Sequence, residues 1–246
     1  MFRVDTTGID EQIAELTDLE REQLPFAAAL ALTRTAQDVE QALVSEMRNV
    51  FDRPTRWTLN SLRVFPATKQ KLVARVWMKN ESDKAAPATT WLTPEVYGGP
   101  RRDKRTESML KARGILPADR YVVPGDGAEL DQFGNMKRGQ LTRMLSGVRG
   151  FTETGYSANA TNSTRSRRKG NAKSFFVMRK GKDPIGIAQR VGRKRDDVKM
   201  VVAFVRKPNY TKRYRFFEVA DQVAEQRLPE RFREAMAQAM ATRRQN

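Results

Sequence analysis

The chain lacks cysteine and histidine entirely, across all 246 residues. Without cysteine there are no disulfide bonds and no thiolate nucleophiles. Because both residue types are missing, zinc sites of the usual kind, Ser-His-Asp triads and histidine acid–base chemistry are excluded as well. No other catalytic motif is found, so we expect no cofactor. The alternative is a basic nuclease, which would gather carboxylates around a divalent cation.

Long apolar runs are also missing. No run reaches the roughly 18 residues that a helix needs to cross a bilayer. The N-terminal region is too acidic and too poor in apolar residues for a secretory signal. We therefore expect no membrane partner and assembly in a cytoplasm.

Acidic residues are few relative to basic ones. There are 46 Lys and Arg residues against 29 Asp and Glu residues, which gives a formal net charge of +17. An excess this large predicts a polyanionic neighbour, such as nucleic acid or a strongly acidic protein ring. The alternative is that the charge serves only solubility.

One segment, Gly155–Lys182, contains no acidic residue at all. Five cations there stand on a Ser, Asn, Thr and Gly background that predicts flexibility in isolation. They are the candidate contacts to a polyanion or an acidic partner: Arg165, Arg167, Arg168, Lys169 and Lys173. Such residues can follow a phosphate backbone, and the alternative is a solvated loop.

The stretch Pro25–Lys79 organises the predicted fold. It opens with PFAAALALTRTAQDVEQALVSEMRNVF, in which apolar residues recur at steps of three and four, as on one face of a helix. Pro25 suits the first turn of this helix, and Pro54 follows its end. After the break, Leu72, Ala74 and Val76 alternate with polar residues, which predicts a hairpin with one apolar face.

These patterns predict an α+β fold, in which a long N-terminal helix packs on a mostly antiparallel β-sheet, with an irregular insertion and a C-terminal helix. Residues 1–79 supply the helix and hairpin, and residues 80–150 form a loop-rich helical insertion. Residues 151–172 are a flexible basic segment. Residues 173–246 add strands that complete the same sheet, then a C-terminal helix that breaks near Pro229.

Two patterns resemble functional motifs without matching them. Asp126, Glu129 and Asp131 cluster like metal ligands, but their spacing does not fit the calcium-loop pattern. Gly98-Gly99-Pro100 precedes two arginines but lacks the spacing of a phosphate-binding loop. We therefore predict turns at both places and no metal site.

Tryptophan and arginine are favoured as anchors of protein interfaces. The candidate interface residues are Arg53, Arg56, Trp57, Arg101 and Arg102. For the first three, the alternative is that Trp57 belongs to the core and Arg53 caps the end of the long helix.

Several blocks resemble the prophage minor tail protein Z family, the lambdoid tail-completion proteins. The first block is ALTRTAQDVEQAL, EMRNVFDRPTRWTLNSLRV and ATKQKLVARVWMK, of which FDRPTRWTLNSL is the most distinctive part. The second is TWLTPEVYGGPRRDKRTESMLKARGIL, and the third is VPGDGAELDQFGNMKRGQLTRMLS. Together they cover most of residues 25–148, and the FFV strand with a Gly186-centred turn extends the resemblance towards the C-terminus.

The resemblance implies a structural virion protein of a long-tailed phage (siphovirus), without enzymatic activity. It would complete the tail at the head–tail junction, or neck, as a homo-oligomeric ring, with six copies as the expected number. The implied partners are other copies, the tail terminator, the head–tail connector or tail tube proteins, and the DNA end. The alternative class is a free basic nucleic-acid-binding protein, which composition alone would also support.

Overall fold

The computed structural model describes residues 2–5, 18–80, 86–151, 163–165, 174–192, 194 and 196–243. The chain forms two compact units. The terminal unit combines Met1–Gly98 with Thr211–Asn246, and the inserted unit is Gly99–Tyr210. In chain order the elements are β1 Phe2–Asp5, α1 Asp18–Val50, α2 Arg56–Leu59, β2 Leu62–Phe65, β3 Val73–Met78, α3 Ala88–Tyr97, β4 Gly99–Pro100, α4 Arg105–Ala112, β5 Arg120–Pro124, α5 Arg138–Gly147, β6 Phe175–Lys180, β7 Asp183–Arg190, β8 Val198–Arg206, β9 Asn209–Tyr210 and α6 Phe216–Arg243.

The terminal unit contains a three-stranded antiparallel sheet in the order β1-β3-β2. The predicted alternation is confirmed, because Ala74, Val76 and Met78 are buried while the residues between them are partly exposed. These side chains pack against one face of α1, where Val39 and Leu43 are fully buried. The long helix on an antiparallel sheet, with a C-terminal helix, confirms the predicted α+β fold.

Pro25 and Pro229 lie inside helices, although the sequence predicted a helix start at the first and a break at the second. Helix α1 begins seven residues before Pro25, and α6 continues through Pro229. An interior proline removes one backbone hydrogen bond and crowds the preceding turn. Packing between α1 and α6 offsets this cost through closely fitting small residues, which are all fully buried: Ala27, Ala31, Ala235 and Ala239.

The inserted unit has its own antiparallel sheet, in the order β5-β8-β7-β6. The prediction that the strands after residue 173 complete the sheet of the 59–79 hairpin is therefore wrong. Their partner from earlier in the chain is β5, a strand inside the stretch expected to be mostly loop. The core of this unit joins the sheet to α4 and α5 through Leu110, Met144 and Ile187, among others.

The insertion itself differs from the predicted one in extent. It runs from residue 99 to 210 rather than from 80 to 150, and so it includes the strands that were assigned to the main body. Gly186, expected in a turn, lies within β7, where a Cβ atom would stand 2.4 Å from the carbonyl oxygen of Val202. Glycine is needed there because the neighbouring strand approaches closely.

Candidate polyanion interface

Positive charge is divided very unevenly between the two units. The inserted unit has 26 Lys and Arg residues against 10 Asp and Glu residues, a formal net charge of +16. The terminal unit has 20 against 19, a net charge of +1. Because charge at this density attracts polyanions, the inserted unit is the part of the chain in which to look for a site.

Antiparallel pairing gathers cations at one end of the four-stranded sheet. At that end β5 and β7 begin while β8 and β6 finish. The first or last residues of these strands, and those next to them, are mainly basic. We call this group the basic end: Arg120, Arg179, Lys180, Lys182, Arg206 and Lys207.

The strand register aligns part of the basic end in one row. Arg120 lies directly opposite Arg206, and Lys180 lies opposite Asp183. Pairing of Gly186 with Ala203 puts Asp183 at the level of Arg206. Since neighbouring strands are about 4.8 Å apart, the row across four strands is about 14 Å wide.

A tight turn presents the lysines of the basic end. Gly181 has a φ of 65°, a backbone conformation that costs glycine little, and it allows β6 to reverse directly into β7. The guanidinium of Arg179 donates a hydrogen bond of 2.9 Å to the carbonyl oxygen of Lys182 across this turn. Lys180 and Lys182 are left exposed on either side of the glycine.

Carboxylates compensate little of this charge. Arg120 lies 3.4 Å from Asp119, whose side chain is largely exposed. Within the described ranges, Lys180, Lys182, Arg206 and Lys207 have no carboxylate within ion-pair distance. Like charges directly opposite one another, as in the pair of Arg120 and Arg206, destabilise an antiparallel ladder. Asp183, level with Arg206 on the other neighbouring strand, offsets part of this repulsion.

The opposite end of the sheet has mixed charge. There Asp126 accepts a hydrogen bond from the backbone N–H of Met200, and Asp197 accepts one from that of Lys194. The guanidinium of Arg190 lies over the ring of Phe176, with its Cζ atom 5.4 Å from the ring centroid. Lys194 and Lys199 are exposed. Among the described residues of this end, Arg190, Lys194 and Lys199 also form no ion pair with a carboxylate, and Asp126 and Asp197 bind backbone N–H groups instead.

The predicted basic segment is only partly described. Arg165 is exposed, whereas Arg167, Arg168, Lys169 and Lys173 lie outside the described residues. The segment joins β6 through Ser174, at the end of the sheet opposite the basic end. The structure therefore adds a second group of cations, which shares no residue with the predicted one.

Arg101, a predicted interface residue, lies inside the inserted unit. Its guanidinium forms a bidentate ion pair with Glu107, with hydrogen bonds of 2.7 and 2.5 Å, and only 11% of the Arg101 side chain is exposed. Glu107 is fully buried and also accepts hydrogen bonds from the backbone N–H groups of Lys104 and Val122. Arg101 therefore makes its ion pair within the inserted unit, where Glu107 joins the start of α4 to β5. Its neighbour Arg102 is exposed.

The electrostatic balance at Glu107 favours the ionised carboxylate. Burial alone would raise the pKa of Glu107, but hydrogen bonds from Arg101, Val122 and Lys104 outweigh burial, and the pKa is lowered. The same pair raises the pKa of Arg101. Both groups stay charged at neutral pH, and their role is to stabilise the unit.

The candidates Arg53, Arg56 and Trp57 lie on the surface of the terminal unit. Trp57 is 56% exposed, so the alternative that it belongs to the core is wrong. Arg53 has a φ of 47° and pairs with the neighbouring Asp52 at 2.9 Å. Trp57 and Arg56 belong to α2, whose last residue Leu59 lines an open groove of about 480 Å³ beside α1.

The two patterns that resembled motifs have structural roles. Asp126 binds the backbone of β8, Glu129 pairs with Arg143 at 3.0 Å, and Asp131 accepts hydrogen bonds from two nearby backbone N–H groups. Gly99–Pro100 forms the short strand β4, which pairs with β9. In the described part of the chain, no group of three or more carboxylates is placed to hold a metal ion.

Comparisons with known proteins add nothing to this description. No protein-family model, curated protein or solved structure gives a significant match to the chain. Among the helices described, none is both long enough and apolar enough to cross a membrane.

Sequence reasoning missed the basic end because its members are far apart in the chain. Arg120 and Arg206 come together only through the pairing of β5 with β8. The available signal was local: Arg-Lys pairs at positions 179–180 and 206–207, each directly after an apolar run. Basic residues closing two strands of one antiparallel sheet lie at the same end when those strands run in the same direction.

Proposed function

We propose that this chain is a structural virion protein of a long-tailed phage, which acts in tail completion at the head–tail junction. The inserted unit faces a polyanion there, either the DNA or a strongly acidic neighbouring ring. The observation that carries this proposal is the placement of nearly all the net charge, +16 of +17, in that unit. The resemblance to the minor tail protein Z family supplies the biological setting.

The terminal unit has the surface for contacts between copies. Trp57 and Arg56 project from the short helix α2, beside the groove that Leu59 and Lys79 help to line. An exposed tryptophan next to a concave surface is typical of an interface anchor. Copies that assemble into a ring would multiply each weak basic contact of the inserted unit through high effective concentration.

The test is to locate the chain in purified particles. A tag at the C-terminus, imaged on intact virions, is expected to give density at the head–tail junction, with several copies per particle. Trp57→Ala is expected to reduce incorporation because it removes the anchor. The matched control is Tyr97→Ala, an aromatic residue of the same unit that is 59% exposed and lies in α3. Particles that are complete and infectious without the chain would refute the proposal.

A free nucleic-acid-binding protein is the second candidate, favoured by the same charge. In that case the isolated monomer would bind DNA with a strong dependence on salt, and no label would appear on particles.

A further inference from the structure

We infer that the basic end of the four-stranded sheet is a docking surface for the phosphate backbone of duplex DNA. This inference rests on the proposed function and specifies both its contact residues and its partner. Six cations are gathered there by strand pairing, and all but Arg120 have no carboxylate partner in the part of the chain that the structure describes.

The size of the surface fits a duplex. A duplex carries about one charge per 1.7 Å of its axis, so a row about 14 Å wide lies alongside roughly eight phosphates on both strands. Arginine and lysine side chains of ordinary length can reach phosphates on either side of such a row. Six cations therefore have enough phosphates within reach to be neutralised.

The surroundings favour DNA over an acidic protein. A protein interface has an apolar core within its polar rim. The exposed large apolar residues of the inserted unit are Leu130 and Val191, among the residues that the structure describes. Val191 directly follows β7 at the opposite end of the sheet, and Leu130 lies six residues beyond the last residue of β5, which ends there too. The basic end thus provides cations without the apolar contacts that a protein partner would use.

The pair of Arg120 and Arg206 supplies an independent argument. Their direct opposition places two like charges on one face of the ladder, and a phosphate bound there would interact favourably with both. DNA binding and sheet stability should therefore be coupled. Arg206→Gln should reduce the rise in Tm that DNA produces.

The experiment measures binding of the full chain to a short labelled DNA duplex by fluorescence anisotropy, as a function of salt. One variant combines Lys180→Gln, Arg206→Gln and Lys207→Gln. The matched control removes the same charges from the opposite end of the sheet, through Arg190→Gln, Lys194→Gln and Lys199→Gln. With up to six contacts, the wild type should have a slope of log Kobs against log salt of about −5.

The basic-end variant should lower the magnitude of this slope by about 3, because each phosphate contact contributes about one. Between about 50 and 200 mM salt, that difference corresponds to a roughly 60-fold smaller loss of affinity. The control should keep the slope of the wild type. If the triple variant is not folded by circular dichroism, Lys207→Gln against Lys199→Gln carries the test, with a slope reduced by about one only in the former.

Three results would overturn the inference. The two triple variants could show the same reduction in slope, or the basic-end variant could keep the slope of the wild type. Alternatively, the basic-end substitutions could weaken the binding of polyglutamate without weakening the binding of DNA. In each of these cases the proposed function survives if the wild type binds a polyanion and is found in particles. A wild type that binds no polyanion would instead contradict the proposed function itself.

Discussion

Replacing Glu107 by glutamine tests how the inserted unit is held together. Glu107 is fully buried and accepts four hydrogen bonds, two from Arg101 and one each from the backbone of Lys104 and Val122. Glutamine has the same shape, but one of its terminal groups is a donor that faces other donors. It also leaves the guanidinium of Arg101, only 11% exposed, without a counter-charge.

Glu107→Gln should therefore lower the free energy of unfolding by a large amount. Removing one partner of a buried ion pair destabilises a protein by about 3–5 kcal/mol, against a total of roughly 5–15 kcal/mol for a domain. Urea unfolding, followed by circular dichroism, gives the free energy. Hydrogen exchange at the amide of Val122 shows whether β5 opens first, since that amide donates directly to Glu107.

The effect should also depend on pH. The pKa of Glu107 in the folded chain lies below its ordinary value of 4.5, so the unfolded state binds more protons in this range. The carboxylate therefore stabilises the fold fully above about pH 4.5, and this contribution is lost as the pH falls through the folded pKa. The difference in stability between wild type and Glu107→Gln should shrink below pH 4.5.

A matched control is available in the same unit. Glu129 pairs with Arg143, but both side chains are nearly half exposed, so Glu129→Gln should change stability by less than about 1 kcal/mol. If Glu107→Gln is as mild as this control, the ion pair does not stabilise the unit and the assignment of Arg101 to its interior is refuted.

Three further predictions concern the frame of each unit. Leu43→Ala removes a fully buried side chain between α1 and the sheet. Urea unfolding should give a free energy of unfolding that is lower by about 2–5 kcal/mol, and an unchanged value would show that this face of α1 is not packed. Gly186→Ala places a Cβ atom 2.4 Å from the Val202 carbonyl oxygen, so it should lower Tm and expose the amides of β7 to exchange; an unchanged Tm would contradict the register. Asp38→Asn removes the negative charge and one of the two oxygen atoms that accept hydrogen bonds from Arg231, at 2.8 and 2.9 Å, between α1 and α6, and should lower Tm. Hydrogen bonding by Arg231 lowers the pKa of Asp38 below 3.8, so the decrease in Tm relative to the wild type should be present at neutral pH and vanish in strong acid. A decrease in Tm that does not depend on pH would argue against the ion pair.

The parts of the fold that could be predicted are those set by local pattern. The apolar repeat through Val39, Leu43 and Met47 could belong only to one face of a helix, and the alternation after Leu72 only to a strand. Both elements follow from residues a few positions apart. The helix-on-sheet arrangement followed because each element has a single apolar face to bury.

The parts that were missed depend on contacts between distant segments. Strand β7 contains Pro184 and Gly186, which indicate a turn by themselves, and only the approach of β8 explains the glycine. Strand β5 is short and precedes a turn-rich run, so its neighbour β8 decides its conformation. Pro229 breaks an isolated helix, but packing of Ala235 and Ala239 on α1 outweighs its local effect.

Some features of the candidate site could also be predicted from the sequence, and others depend on contacts between distant segments. Net charge and the acid-free stretch could be read directly from composition, and they predicted a polyanion. The concentration of charge in one structural unit required the bounds of that unit, which come from long-range pairing. The ion pair of Arg101 with Glu107, six positions away, was not predicted because a charge count does not reveal a buried partner.

The most direct test of the central claim is photo-crosslinking inside assembled particles. A photoreactive amino acid replaces Lys207 at the basic end or, in the matched control, Lys199 at the opposite end of the sheet. We expect irradiation of intact virions to join position 207, but not position 199, to packaged DNA. Crosslinks from position 207 to protein alone, or equal crosslinks to DNA from both positions, would contradict the account.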